Sequence, residues 1–522
     1  MNFDVKKANS TIGSDGVCKQ TDGQETGSTL RHRLHLEVDL IADHCEKSNE
    51  NFLKFEATLI AMMMQIGRLF VMLFLNSRHY GLNLADWLTG EYRIHAMFAE
   101  RTIKTSYGPV TYGRVYLLKI IGKEGFFPLD AVLGLTRDGF SPLVISLSSR
   151  LATRLSFGAT AMVFKYFMEW SPSTESIESF VLGLGRYAGE YTIASPSPDG
   201  DGEMLVIEVD GKATPTATDE ELAKRRGKRK NQEDAGNCKC KRHRGRVRRT
   251  RGKRRKRRQP GDKSKNGRSI TLVAIYTLRR GDDGRLHGPI NKRIWGTYAP
   301  RQFAIAWARD QATKRGFPPD TDKTVQIIVD GEVCLRQGLK KLFPNAIFTL
   351  DIRHVQEKLW TIGHAIFPGG GDQLHEWVED KETMLFEGDV SILLASLKEI
   401  YQAPGGKACI TAQREAIEKI ISYIEQRLDM MRYADMIKQD MNIASGVVEG
   451  AARYVVGERM DCSGMRWIEG RAEALLHLRC LELNGEWDAF FDWAHQRWQE
   501  KLYNKEKVQI RTNEPIFLPE AA

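Results

Sequence analysis

Residues 324–360 read TVQIIVDGEVCLRQGLKKLFPNAIFTLDIRHVQEKLW, and the reading of this stretch decides the fold. The run Val325–Val329 is apolar except for Gln326 and closes on Asp330-Gly331. A second apolar run, 346–350, closes on Asp351, with His354 three residues later. Short runs rich in β-branched residues and bounded by Gly or Pro suit strands covered on both faces. Between them Val333, Leu335, Leu339 and Leu342 keep helical spacing, so the stretch predicts a βαβ unit. Both carboxylates then fall at strand carboxyl ends, where open α/β sheets place their ligands. An Asp-Gly after a strand is also ordinary turn chemistry. Two such aspartates and a nearby histidine raise the functional reading above that one.

Working outward, the chain has 522 residues and a net charge of +10, enough for two or three domains. The charge is uneven. Residues 224–268 hold 23 Lys and Arg against Glu233, Asp234 and Asp262, a net +20 that leaves the remainder at −10. Such a block with few apolar residues is expected to stay poorly ordered without DNA, to contact phosphates non-specifically, or to be a solvated loop. Eight cysteines are scattered without a disulfide spacing, and no signal-peptide pattern is present, so a reducing cytoplasm is expected. Cys238 and Cys240 have only His243 nearby, too little for a zinc site. Residues 59–75, LIAMMMQIGRLFVMLFL, are broken by Gln65, Gly67 and Arg68 and predict a helix packed in a bundle, not a membrane span.

In chain order, residues 1–29 are polar and expected to be disordered, and 31–76 predict one or two long helices. Residues 100–122 predict a hairpin around Gly108-Pro109. Helical spacing over 157–170 and 174–185, broken at Ser171-Pro172-Ser173, outlines a helix-turn-helix over 156–187. After a linker, EMLVIEVDGK (203–212) predicts a strand ending in Asp210, followed by strands near 270–278 and 293–298 and a helix from Pro300 to about Lys314. The order strand, strand, strand, helix, strand, helix, strand is that of a ribonuclease-H-like fold. In that fold the first and fourth strands are central neighbours, which brings Asp210 and Asp330 together. Helical spacing then runs from His354 to about Gln439, with breaks at 368–371 and 404–406. Glu449 follows within ASGVVEG (444–450), flanked by Val447, Val448, Ala451 and Ala452; those flanks are expected to press its helix on the sheet and aim the carboxylate at the strand ends. Glu469 and Glu473 share a helix face and are expected to make surface pairs with Arg466, Arg471 or His477.

Several pieces together resemble DDE-class transposases of bacterial insertion sequences, the ISKra-type group and its Mutator-like relatives. These are ERTIKTSYGPVTYGRVY, GFFPLDAVLGL and LSFGATA in the amino-terminal half. In the second half they are VIEVDGK, IIVDGE, LDIRHVQEKLW, SGVVEGAARYVVGERM and CSGMRWIEGRAEALLHLR. The resemblance spans about residues 90 to 495. It implies an α/β protein with a ribonuclease-H-like catalytic core over 203–354, interrupted by the basic insert 224–268. A mostly helical DNA-binding region (30–195) would precede the core. A helical insertion (355–440) would lead to the catalytic glutamate and C-terminal helices (441–500), then a tail (501–522). The acidic triad carries over to Asp210, Asp330 and Glu449, while Asp351 and His354 match a signature thought to assist the site. Glu469 and Glu473 remain rivals for the third place.

Three carboxylates suit two Mg²⁺ or Mn²⁺ ions, with Asp210 between them, Asp330 on one and Glu449 on the other. The implied partners are DNA, both element ends and target, and other copies of the chain as a homo-oligomer on that DNA, in a nucleoid-associated cytoplasmic protein that uses no membrane. Two other functions compete: a ribonuclease-H-like nuclease or resolvase without strand transfer, and a transposase-derived DNA-binding regulator that has lost catalysis. The complete triad argues against the latter.

Overall fold

The computed structural model describes residues 27–217, 267–402 and 411–503, except 89, 169, 463 and 464. The basic block up to residue 266, residues 1–26 and the tail from 504 therefore lie outside the described residues, as do the break at 404–406 and the Cys238/Cys240 pair. The chain forms two units, one reaching Tyr187 and resuming at Trp487, the other Ala188–Glu486.

In the first unit, α1 (Gly27–Lys47) and α2 (Phe52–Tyr80) pair along Leu30, Leu34, Ile66 and Leu69. Asn51 starts α2 by accepting the Lys54 amide at 3.0 Å. By length and composition α2 could cross a membrane; it packs against α1 and the neighbouring hairpin. That hairpin is β1 (Tyr92–Thr105) with β2 (Gly108–Lys119), turning at Gly108 as the sequence predicts, and β3 (Gly125–Phe126) adds to β2. Asp130, buried in α3 (Pro128–Val132), accepts from Arg101 and from the Tyr112 hydroxyl and pairs with Arg114, so its charge is compensated.

Next come α4 (Pro142–Arg154), α5 (Phe157–Met168) and α6 (Thr174–Ala194). The α5–α6 break falls where expected, and Ser173 Oγ accepts the Ser176 amide at 3.1 Å. However, α6 runs to Ala194 instead of ending near 185. Ile177, Val181, Leu184 and Ala188 form one buried stripe that carries the helix through its glycines.

The second unit is an α/β structure. Its mixed sheet contains β4 (Met204–Pro215), β5 (Gly267–Arg280), β6 (Leu286–Thr297), β7 (Val325–Val329) and β8 (Ile347–Leu350), in the order β6-β5-β4-β7-β8. The pairs β4–β5 and β5–β6 are antiparallel; β4–β7 and β7–β8 are parallel. All five residues of β7 are buried, in keeping with its apolar run and the helices over both faces. Crossovers are made by α7 (Arg301–Lys314) and α8 (Val333–Leu342).

Then follow α9 (Ile352–Ile366), α10 (Asp372–Glu387), α11 (Val390–Gln402), α12 (Thr411–Glu425) and α13 (Tyr433–Lys438). The short α14 (Gly446–Ala451) continues through a π-helical stretch (Ala452–Gly457) into one more turn, Glu458–Met460. The buried α15 (Glu469–Leu483) packs on β6. The last helix, α16 (Trp487–Tyr503), returns to the first unit, so the segment 441–500 taken together above is divided between the two.

Candidate active site

Register builds the site. On β4, Val209 lies opposite Val329 of β7, which lies opposite Leu350 of β8. The next residue on each chain segment is an aspartate: Asp210, Asp330 and Asp351. Three carboxylates thus stand in one row across the carboxyl end of the parallel ladder, where adjacent strands lie about 4.8 Å apart. The Asp351 amide continues the row by donating to Val329 O at 3.0 Å. The expectation that the first strand stops at Asp210 is corrected. The β4–β7 pairing stops there, but β4 runs on to Pro215 because β5 keeps pairing with it, Pro215 opposite Gly267.

Each aspartate is held differently. Asp210 Oδ1 accepts the Gly211 amide at 2.7 Å, and Asp330 Oδ1 accepts the Glu332 amide at 2.9 Å. Burial pushes the Asp210 carboxyl up; the carboxylates of Asp330 and Asp351 add to this, while the Gly211 amide and His354 oppose it. Asp351 is almost wholly buried and has no such latitude. Its Oδ1 caps α9 by accepting the Arg353 amide at 3.0 Å, and its Oδ2 meets His354 Nδ1 at 3.2 Å and the Ser445 hydroxyl. Burial works against its charge, but those three donors outweigh it and hold the carboxyl below its ordinary value. The bond to Asp351 is also the largest reason that His354 is raised.

The turn after Asp330 is fixed by the helical insertion. The Tyr423 hydroxyl on α12 donates to Asp330 O at 2.6 Å, and Arg427 Nε donates to Gly331 O at 2.7 Å. Gly331 has φ +82°, and a Cβ there would stand 2.5 Å from Arg427 Nε. Only glycine fits both the backbone and the neighbour.

Glu449 lies on α14, whose flanks are pressed inward as expected, but its own side chain is not buried with them. Val448 and Ala451 are buried while the Glu449 side chain is 54% exposed and ion-paired with Arg353 in the first turn of α9. Six residues of helix can turn only one face to the sheet, and the apolar residues take it. Of its rivals, Glu469 pairs with Arg268. Glu473 corrects the surface pairing expected for it: it is buried, accepts the Tyr298 amide at 2.7 Å and the Thr297 hydroxyl, and lies 2.9 Å from His477. Its bonds serve the β6–α15 contact.

The residue that sequence reasoning missed is Glu208, two before Asp210 on the same face of β4. It is 1% exposed; its Oε1 accepts the Tyr276 hydroxyl at 2.6 Å and its Oε2 the Val448 amide at 2.7 Å. Burial pushes its carboxyl up to about 7, against the bonds from Tyr276 and from the Val448 and Val447 amides. An acid inside the apolar run MLVIEV was the available signal. Through it, β4 grips the amino end of α14 and so fixes where Glu449 begins. Asn442 strengthens the joint by donating to the Tyr276 oxygen at 2.7 Å.

Among the described residues no three His, Cys, Asp or Glu side chains close into a metal-binding group. The donor set still fits hard cations in part. Asp210 and Asp330 each spend Oδ1 on the backbone and keep Oδ2 outside these bonds, and Glu449 sits behind an exposed ion pair. Asp351 does not fit, because both its oxygens are committed. No family model matches the chain, and no match is found among curated proteins.

Proposed function

We propose that the protein is a DDE-class DNA transposase with a ribonuclease-H-like core, which cleaves DNA strands at element ends and joins them to a target. One observation carries the reading: the in-register row of Asp210 and Asp330 at the carboxyl ends of adjacent central strands. The sheet order, three antiparallel strands followed by two parallel ones on the side of β4, supports the same core.

In this reading Asp210 and Asp330, joined by Glu449, would hold one or two Mg²⁺ or Mn²⁺ ions. Ions bound there supply an activated attacking oxygen and charge for the leaving oxygen. Asp351 holds a proton at His354 Nδ1 and so orients the ring, which favours the imidazolium as a contact for a phosphate. Arg353 holds Glu449 at the rim until a ligand competes for it. The basic block is joined to the same end of the sheet, since β4 and β5 pair past the aspartates up to Pro215 opposite Gly267, and the described chain stops at Ala217 and resumes at Gly267. That location suits it to follow a DNA backbone.

The test is strand transfer by the full-length protein, with Mg²⁺ or Mn²⁺, on duplexes taken from the DNA flanking the reading frame. Joined products that vanish in Asp210→Asn support the proposal. Cleavage without joining favours the nuclease, and binding with neither favours the regulator.

A further inference from the structure

We propose that the cavity between α8 and the residues following α12 is a phosphate-binding site, with Arg427, Arg336 and Lys340 as its cationic groups. The binding chemistry stands apart from the catalytic reading and needs no turnover to be seen.

The cavity has a volume of about 350 Å³, within the range of sites that take small ligands. Val333, Arg336, Gln337 and Lys340 line it from α8, and Gln426 and Arg427 from the opposite wall. Spacings of three, one and three put the four α8 side chains on one helical face. Gly331 also lines it, so one wall is the turn that carries Asp330. Among the described residues no carboxylate lines the cavity.

Arg427 is the residue that points to a ligand. It is 7% exposed, yet its hydrogen bonds go to neutral partners. Nε donates to Gly331 O at 2.7 Å and Nη1 to Tyr423 O at 2.8 Å. The guanidinium lies 4.0 Å from the centre of the Tyr423 ring. Among the described residues no carboxylate comes within ion-pair reach of it, and Nη2 makes no hydrogen bond. Holding the Gly331 turn therefore occupies two of its three nitrogens and leaves the third. A buried guanidinium without a counter-charge is destabilising, and an anion in the cavity relieves that.

The other groups fit that anion to a phosphate. Arg336 offers a second guanidinium fork, held beside the cavity by Asp429 and by Gln426 O at 3.3 Å. Such forks meet two oxygens of a tetrahedral phosphate at once. Lys340 adds an exposed point charge one turn further on. The helix α8 starts beside Gly331 without a side-chain cap, which leaves its positive end open to an anion. Gln337 and Gln426 bring amides able to donate to ester or sugar oxygens.

A phosphate group has two sources here: the backbone of a DNA strand, or a free phosphate. Lys340 can report which, because Lys341 is exposed next to it but does not line the cavity. The full-length protein is acetylated at its amines, and modification of both lysines is read by mass spectrometry. The additions are inorganic pyrophosphate, a DNA oligonucleotide without terminal phosphates, and a tetraglutamate peptide. We expect Lys340 to be protected in preference to Lys341. Protection by the oligonucleotide assigns the site to a strand, and protection by pyrophosphate alone assigns it to a free phosphate.

Arg427→Met should raise the half-protecting concentration at least roughly tenfold, the loss of a charge-assisted bond. Asp429→Asn, which releases Arg336 from an exposed partner, should lower it. If Arg427→Met unfolds because it also holds the Gly331 turn, Arg336→Gln takes its place with the same expected direction. Equal protection of the two lysines, or none, overturns the proposal. So does protection by tetraglutamate as strong as by the phosphates, or a half-protecting concentration indifferent to these substitutions.

Discussion

Asp210 and Asp330 sit side by side at the ends of adjacent strands, and they are held by a different kind of structure from Glu449, the third acid of the proposed site. The aspartates are fixed by ladder register: Val209 opposite Val329 leaves the next two residues no choice of neighbour. Glu449 rides on a six-residue helix whose amino end is tied to β4 through Glu208 and whose carboxylate is tied to α9 through Arg353. Register is enforced by every hydrogen bond along a strand, because a one-residue slip would exchange the two faces of the strand and displace every packed side chain. A short helix has no such redundancy, and isolated turns are marginal in water. The aspartates are therefore the rigid half of the site and the glutamate the adjustable half.

The largest effects should fall on the rigid half. Asp210→Asn and Asp330→Asn keep side-chain volume and one acceptor but remove the charge. Each should cut cleavage at least roughly a thousandfold, about 4 kcal/mol of barrier, with little change in the melting temperature. Residual cleavage above a few per cent in Asp330→Asn would break the claim that the row is the reaction centre.

Glu449→Gln sharpens the comparison. It should abolish cleavage while folding and DNA binding persist, and Glu469→Gln should remain active. The buried bonds of Glu473 make Glu473→Gln a poor rival for activity but a costly one for stability, by roughly 1–3 kcal/mol in urea titrations. If Glu449→Gln cleaves normally, the adjustable half is not part of the site.

The two halves also differed in how legible they were. The row could be read from sequence because each strand is a local apolar run closed by its own aspartate, and the pairing of first and fourth strands follows from the element order. The extension of β4 to Pro215 could not, since its partner residues lie past a charged block in the chain. The apolar flanks of Glu449 showed that its helix is pressed inward, but not that its own carboxylate is exposed and paired with Arg353. Those flanks set which face of α14 is buried and say nothing of the residue pointing away. Glu473 failed likewise: helical spacing gives neighbours on the helix, while its burial comes from β6.

The joint between the halves should show itself in pH. Glu208 is pushed up to about 7 in the fold from an ordinary 4.5, so the folded state binds more protons than the unfolded one between those values. Stability from this group is then full below pH 4.5 and falls as pH rises toward 7. Glu208→Gln removes the titration, so its stability relative to wild type should improve with pH across that window, by at most about 3 kcal/mol. Glu208→Ala differs, because it leaves the Tyr276 hydroxyl and the Val448 amide without their acceptor and should destabilise at every pH. A flat difference between wild type and Glu208→Gln from pH 4.5 to 7 would sink this account of the joint.

The smallest effect should come from His354, which touches the rigid half only through Asp351. Its folded value is raised, so the stability it adds is present below its ordinary 6.5 and is lost as pH rises through the raised value. Asp351 is lowered, so its own contribution is present above 3.8 and is lost as pH falls through the lowered value. The pair is therefore most stabilising between these limits, with the imidazolium facing the carboxylate. His354→Gln keeps a donor for Asp351 but loses the charge and the titration. Partners that orient a reacting group, without themselves reacting, typically contribute ten- to a hundredfold. We expect about a tenfold fall in cleavage at pH 6.5, shrinking as pH rises and the wild-type ring loses its proton. A loss as deep as that of Asp210→Asn, or one independent of pH, would move His354 from orienting the phosphate to the reaction itself.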